Sequence, residues 1–160
     1  MIVGSFDNDK VIELLESDSS EASNYSLGQY DCLNKTFFGV NRGKGPIPSD
    51  YVGIKDNDLY KIFFKSNIPS KFTQPAELYN GSEVHFLWMD GEITEEEIIK
   101  LQMETNSDDV WPVRLFLGHL IETKMPVGID GEFSCVYTNG TSLYLFRNEY
   151  NLMYCNKELD

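Results

Sequence analysis

The stretch FSCVYTNGTSLYLF, Phe133–Phe146, decides the fold class. Phe133–Tyr137 and Ser142–Phe146 read as two strands, and Asn139-Gly140 between them is the dipeptide most typical of a tight hairpin, since both residues tolerate positive φ. Upstream lies a predicted helix over about Asp109–Lys124, with Trp111, Leu115 and Leu120 at helical spacing and Pro112 accommodated in the first turn. Thr94–Glu97 has the pattern of a capping box that opens another helix, running to about residue 105. Its glutamates, Glu95, Glu96 and Glu97, suit the positive end of the helix dipole, so they need no ligand to explain them.

Further upstream, Val84–Met89 reads as a strand entered from a turn at Asn80-Gly81. Asp58–Lys65 is another strand. Tyr25–Tyr30 and Lys35–Asn41 form a pair around a turn at Asp31–Asn34. Ile2–Phe6 is a short strand, and Lys10–Glu16 a short helix that Asp7 or Asn8 can cap. Ser17–Asn24 and Arg42–Asp50 are predicted loops, and Leu152–Cys155 adds one more strand. Strands, then two grouped helices, then strands imply an α+β layered sandwich in a single domain spanning residues 1–160.

Composition narrows the function. Thirteen Lys and Arg stand against 26 Asp and Glu, a net charge of −13. The basic residues are scattered, so direct binding to nucleic-acid phosphates is not expected. An acidic surface keeps a protein soluble or suits a basic partner. No apolar run approaches the roughly 18 residues of a membrane span. The opening MIVGSFDNDK has no basic leader-like region, so a cytoplasmic protein without membrane association is expected.

Cys32, Cys135 and Cys155 lack metal-ligand spacing and read as reduced thiols, Cys135 in the core. Cys32, placed in a predicted turn, has no histidine near it in sequence. His85 lies on a buried-looking strand and His119 in an apolar helix, so each reads as a structural histidine rather than a base. Neither belongs to a zinc-ligand cluster. Asp90 and Glu92 are close carboxylates without further ligands at loop spacing, so no metal or other cofactor is expected. Ser66 and Ser70 have no catalytic partners. RGKG, at Arg42–Gly45, lacks the spacing of a phosphate-binding loop.

The chain from Gly128 to Cys155, GIDGEFSCVYTNGTSLYLFRNEYNLMYC, resembles the C-terminal hairpin of class II glutamine amidotransferase domains, with Asp130, Gly131, Phe133, Arg147 and Leu152 at matching positions. It is similar in particular to the small stand-alone versions encoded by large tailed phages. LWMDGEI, Leu87–Ile93, resembles the family strand that ends in His-Asn-Gly. IFFKSNIPS, Ile62–Ser70, resembles its arginine-bearing segment. VWPVRLFLGHL, Val110–Leu120, resembles its Asp-Thr helix start, and MIVGSFD a shortened form of its Met-Cys-Gly opening. The resemblance implies an N-terminal-nucleophile hydrolase fold, a four-layer αββα sandwich of two antiparallel sheets.

That chemistry needs an N-terminal cysteine nucleophile, an oxyanion hole containing an asparagine, and an arginine and an aspartate for the substrate's carboxylate and ammonium groups. The matching positions hold none of these. Ile2 follows Met1, and a bulky residue there keeps the initiator methionine in place. Asn67 stands for the arginine, Asp90 for the asparagine and Pro112 for the aspartate, while Gly91 is retained. The resemblance thus implies a catalytically inactive amidotransferase-like protein that acts as a binding or regulatory module, its vestigial pocket formed by Ile2, Asn67, Asp90, Gly91 and Pro112. Its partner is an unidentified protein or small molecule, with Asp90 and Glu92 the contacts expected to favour a cationic or neutral ligand. The alternatives are a hydrolase-type enzyme that reuses the pocket with another nucleophile, and an acidic protein-interaction factor whose complexes weaken with salt.

Overall fold

Six consecutive buried residues, Val84–Met89, set the architecture. In an antiparallel strand such a run requires cover on both faces, because successive side chains point to opposite sides. A computed structural model describes residues 2–7, 9–10, 24–32, 35–43, 53–56, 60–65, 74–124, 126, 128–148 and 153, and gives the backbone alone for those between 24 and 65. Its strands are β1 (Ile2–Ser5), β2 (Asn24–Cys32), β3 (Lys35–Gly43), β4 (Gly53–Asp56), β5 (Tyr60–Lys65), β6 (Ala76–Asn80), β7 (Glu83–Ile93), β8 (Gly131–Thr138) and β9 (Leu143–Arg147). The helices α1 (Glu95–Glu104) and α2 (Pro112–Thr123) fall between β7 and β8.

The described strands form two antiparallel sheets, one ordered β1-β3-β2-β5-β4 and the other β6-β7-β8-β9. On one face of the second sheet, Leu87, Met89, Phe133, Cys135 and Tyr137 join Leu101 of α1 and Val113, Phe116, Leu117 and Leu120 of α2 in the main core. On the other face Val84, Phe86, Trp88 and Val136 form a second cluster, with Ile2 and Phe6 packed against it. Trp88 is fully buried there. Burying side chains of this size stabilises the fold by about 1.5–3 kcal/mol each. Phe116 anchors α2 edge-on to Phe133 at 5.2 Å and to Phe146 at 5.9 Å between ring centroids, so one helix residue touches both strands of the C-terminal hairpin.

Local chemistry explains the element ends. Thr94 Oγ1 accepts from the Glu97 backbone N–H at 3.3 Å, which caps α1. The reciprocal half of the expected capping box is replaced: the Thr94 N–H donates to the Asp130 carbonyl, and the half-exposed Lys100 ammonium takes the buried Glu97 carboxylate at 3.0 Å. Asp7 Oδ1 accepts from the Asp9 N–H at 3.0 Å, as expected of a cap. The β8–β9 loop is longer than a two-residue turn. Asn139 Oδ1 holds it by accepting from the Thr141 and Ser142 N–H groups.

Three expectations are corrected. Cys32 is the last residue of β2, in register with Lys35, rather than a turn residue. Arg42 and Gly43 belong to β3 rather than to a loop. Strand β7 continues past Met89 to Ile93, because β8 pairs with it along its whole second half. Strands β4 and β6, with no expectation attached to them, complete the two sheets at their edges. Of the helix expected over Lys10–Glu16 only Lys10 is described, and of the strand expected over Leu152–Cys155 only Met153.

Strands β7 and β8 approach closely at Gly91. It sits at φ +119°, and a Cβ there would collide with the Glu132 carbonyl. The Gly91→Ala variant is expected to lose roughly 2–4 kcal/mol of stability from backbone strain and overpacking together, as read by urea unfolding. A loss below about 0.5 kcal/mol, the scale of an ordinary surface substitution, would contradict this packing.

Candidate functional site

Asp90 and Glu92 lie in the second half of β7, in register with Ser134 and Glu132 of β8. Strand alternation from Val84, Phe86 and Trp88 carries Asp90 onto the face that Ile2 and Phe6 cover. Asp90 is half-buried and Glu92 exposed. Two carboxylates directly opposite one another, as Glu92 and Glu132 are, repel and leave this end of the ribbon strongly negative.

Two carboxamides fix the backbone around Asp90. Regular pairing of β6 with β7 ends at Ala76 opposite Leu87. Beyond it the Gln74 side chain takes over the role of a strand: its Nε2 donates to the Met89 carbonyl at 2.9 Å and its Oε1 accepts from the Met89 N–H at 2.7 Å. On the β8 side, Asn148 Oδ1 accepts from the Phe133 N–H at 3.2 Å, and Asn148 Nδ2 donates to the Gly131 carbonyl. Main-chain groups that would otherwise lack partners are satisfied, so Asp90 and Gly91 are held on a rigid ribbon. Sequence reasoning missed both residues, although Asn148 directly follows β9 and Gln74 lies two residues before β6.

The expected pocket residues divide between layers. Ile2 and Asp90 share one face of the second sheet. Pro112 is the first residue of α2, whose buried side chains pack on the opposite face. Asn67 lies outside the described residues.

Ser66, Ser70 and Cys155 lie outside the described residues, whereas Cys135, His85 and His119 are described. Cys135 is fully buried among the core residues beneath the helices. Burial, reinforced by the negative charge of Asp90, pushes its thiol well above the ordinary range, which disfavours the nucleophilic thiolate. His85 is buried, with Nδ1 2.8 Å from the Tyr137 hydroxyl and Nε2 3.5 Å from Glu83. Its ring stacks on Tyr137, which in turn stacks on Tyr144. His119 Nδ1 stands 3.4 Å from Glu104 and links α2 to α1. Among the described residues no group of three or more His, Cys, Asp or Glu side chains could hold a metal ion. No helix among them is long and apolar enough to cross a membrane.

No family model, no curated protein and no solved structure matches the chain.

Burial lowers the pKa of His85 below its usual value near 6.5, opposed in part by Glu83. A lowered value means that the fold favours the neutral ring. Its contribution to stability is therefore complete above pH 6.5 and is lost as the pH falls below it toward the folded-state value. The His85→Phe variant is expected to show a shallower fall in melting temperature below pH 6.5 than the wild type. Parallel curves for the two proteins would contradict this assignment.

Proposed function

We propose that the chain is a catalytically silent binding module on a class II glutamine amidotransferase-like αββα scaffold. Two antiparallel sheets, a pair of helices covering one face of the second sheet, and β1 against its other face all support this reading. The observation that carries it is the placement of Asp90. Where that family needs a neutral donor aimed at a developing oxyanion, this chain holds a carboxylate on a rigid ribbon, next to a glycine kept by close strand packing. A fixed negative charge there opposes the tetrahedral intermediate and suits a basic group instead. The module's partner contact is accordingly a basic side chain received at Asp90 and Glu92, rather than an α-amino acid held by its carboxylate. The net charge of −13 also favours a basic partner, and predicts that the complex weakens steeply as salt is raised.

The purified protein is expected to release no ammonia from glutamine or asparagine above a heat-denatured control. A basic peptide should raise its melting temperature in a dose-dependent way, and Asp90→Asn should remove that shift. Ammonia release abolished by a thiol reagent would overturn the catalytic part of the reading. Stabilisation by glutamine or glutamate would overturn the binding part and make the domain a glutamine sensor.

A further inference from the structure

We propose that a groove bounded by helix α2, the α1–α2 connection and Leu78 of β6 binds a linear aliphatic polyamine. The cavity measures about 600 Å³, inside the range of roughly 300–1,000 Å³ usual for small-molecule sites. It belongs to the helical layer of the second sheet, whereas Asp90 lies on the face that β1 covers, so this inference stands independently of the function proposed above.

One wall is a stripe of α2. Arg114, Gly118 and Glu122 line the groove at successive intervals of four residues, and at 1.5 Å per residue the stripe is about 12 Å long. Leu78 of β6 and Leu115 supply apolar surface between its ends. Asp108 and Asp109 stand at the end where α2 begins, and Glu122 at the other.

Asp109 is fully engaged. Its N–H donates to Ser107 Oγ, its carbonyl accepts from Gln102 Nε2, its Oδ1 accepts from the Trp111 N–H, and its Oδ2 lies 3.5 Å from Arg114 Nε. Arg114, the single cation among the described residues that line the groove, is thereby paired, which argues against an anionic ligand. Asp108 and Glu122 are exposed, and neither carboxylate makes a hydrogen bond or ion pair with any described residue. The two carboxylates stand toward opposite ends of a groove of mixed polar and apolar lining, with Leu78 and Leu115 in its wall. They match ammonium groups separated by methylenes, as in a linear polyamine.

Gly118 supports the same assignment. It lies in the interior of a helix, where glycine is a poor choice. A Cβ at this position would stand 3.6 Å from Thr105 Cγ2 and 3.8 Å from Leu78 Cδ1, ordinary contact distances. Neither backbone conformation nor packing requires glycine here. The missing side chain keeps the middle of the groove open.

Calorimetric titration of the full chain with spermidine at about 0.15 M salt, where long-range attraction to the acidic surface is screened, tests the proposal. Saturable binding with a stoichiometry of one is expected. Asp108→Asn and Glu122→Gln should each weaken it by about tenfold, the loss of one charge-assisted contact. Gly118→Leu should abolish it, while Gly118→Ala melts at or above the wild-type temperature and so reports on the helix separately. Glu96→Gln, in the first turn of α1, should leave the affinity unchanged. No binding by the wild type, equal weakening by Glu96→Gln, or binding of a lysine-rich peptide with no binding of spermidine would each overturn it.

Discussion

Strand β7 and its pairing with β8 are the constraint on which the described structure depends. Val84–Met89 is buried on both faces, and β8 is in register with β7 from Phe86 to Ile93. Neither sheet face can be left to water. The helices therefore cover Leu87 and Met89, and the β1 region covers Phe86 and Trp88. Removing either cover exposes large apolar side chains, and the loss of a single buried Trp or Phe side chain already costs about 3–5 kcal/mol. The antiparallel hairpins bring the strands together locally, whereas β1, a strand of the other sheet, packs against this one from a distant part of the sequence.

The second half of the same strand has the opposite character. Beyond Met89 the apolar run gives way to Asp90, Gly91 and Glu92, yet the ladder continues. It does so because side-chain amides substitute for missing strand neighbours, Gln74 on one flank and Asn148 on the other. Close approach of the two backbones then restricts Gly91 to glycine. The glycine at this position therefore has a packing explanation that requires no ligand.

The second sheet consequently presents different chemistry on its two sides. The β1 side carries the acidic end of β7. The helical side carries a groove in which Arg114 is already paired with Asp109. Both lie on a chain with 26 acidic and 13 basic residues. They differ in shape: one is a ribbon end, the other a groove lined by both polar and apolar residues. Shape as well as charge therefore separates what each can bind.

Elements governed by neighbouring residues were legible in the sequence. The Asn139-Gly140 hairpin, the Thr94 cap, Pro112 at the start of α2 and the buried Cys135 all follow from propensity, turn chemistry and apolar patterning. The order of strands, helices and strands likewise pointed to antiparallel sheets with grouped helices. Interactions between segments distant in the chain were not legible. The extension of β7 through Asp90 to Ile93 depends on pairing with β8, some 40 residues away, and a polar Asp-Gly-Glu segment reads locally as a strand end. The roles of Gln74 and Asn148 were hidden because a carboxamide beside a strand signals nothing until the backbone groups it satisfies are known. The division of Ile2 and Asp90 from Pro112 across a sheet was decided by tertiary packing alone, since sequence alternation assigns side chains to faces but does not say which layer covers which face.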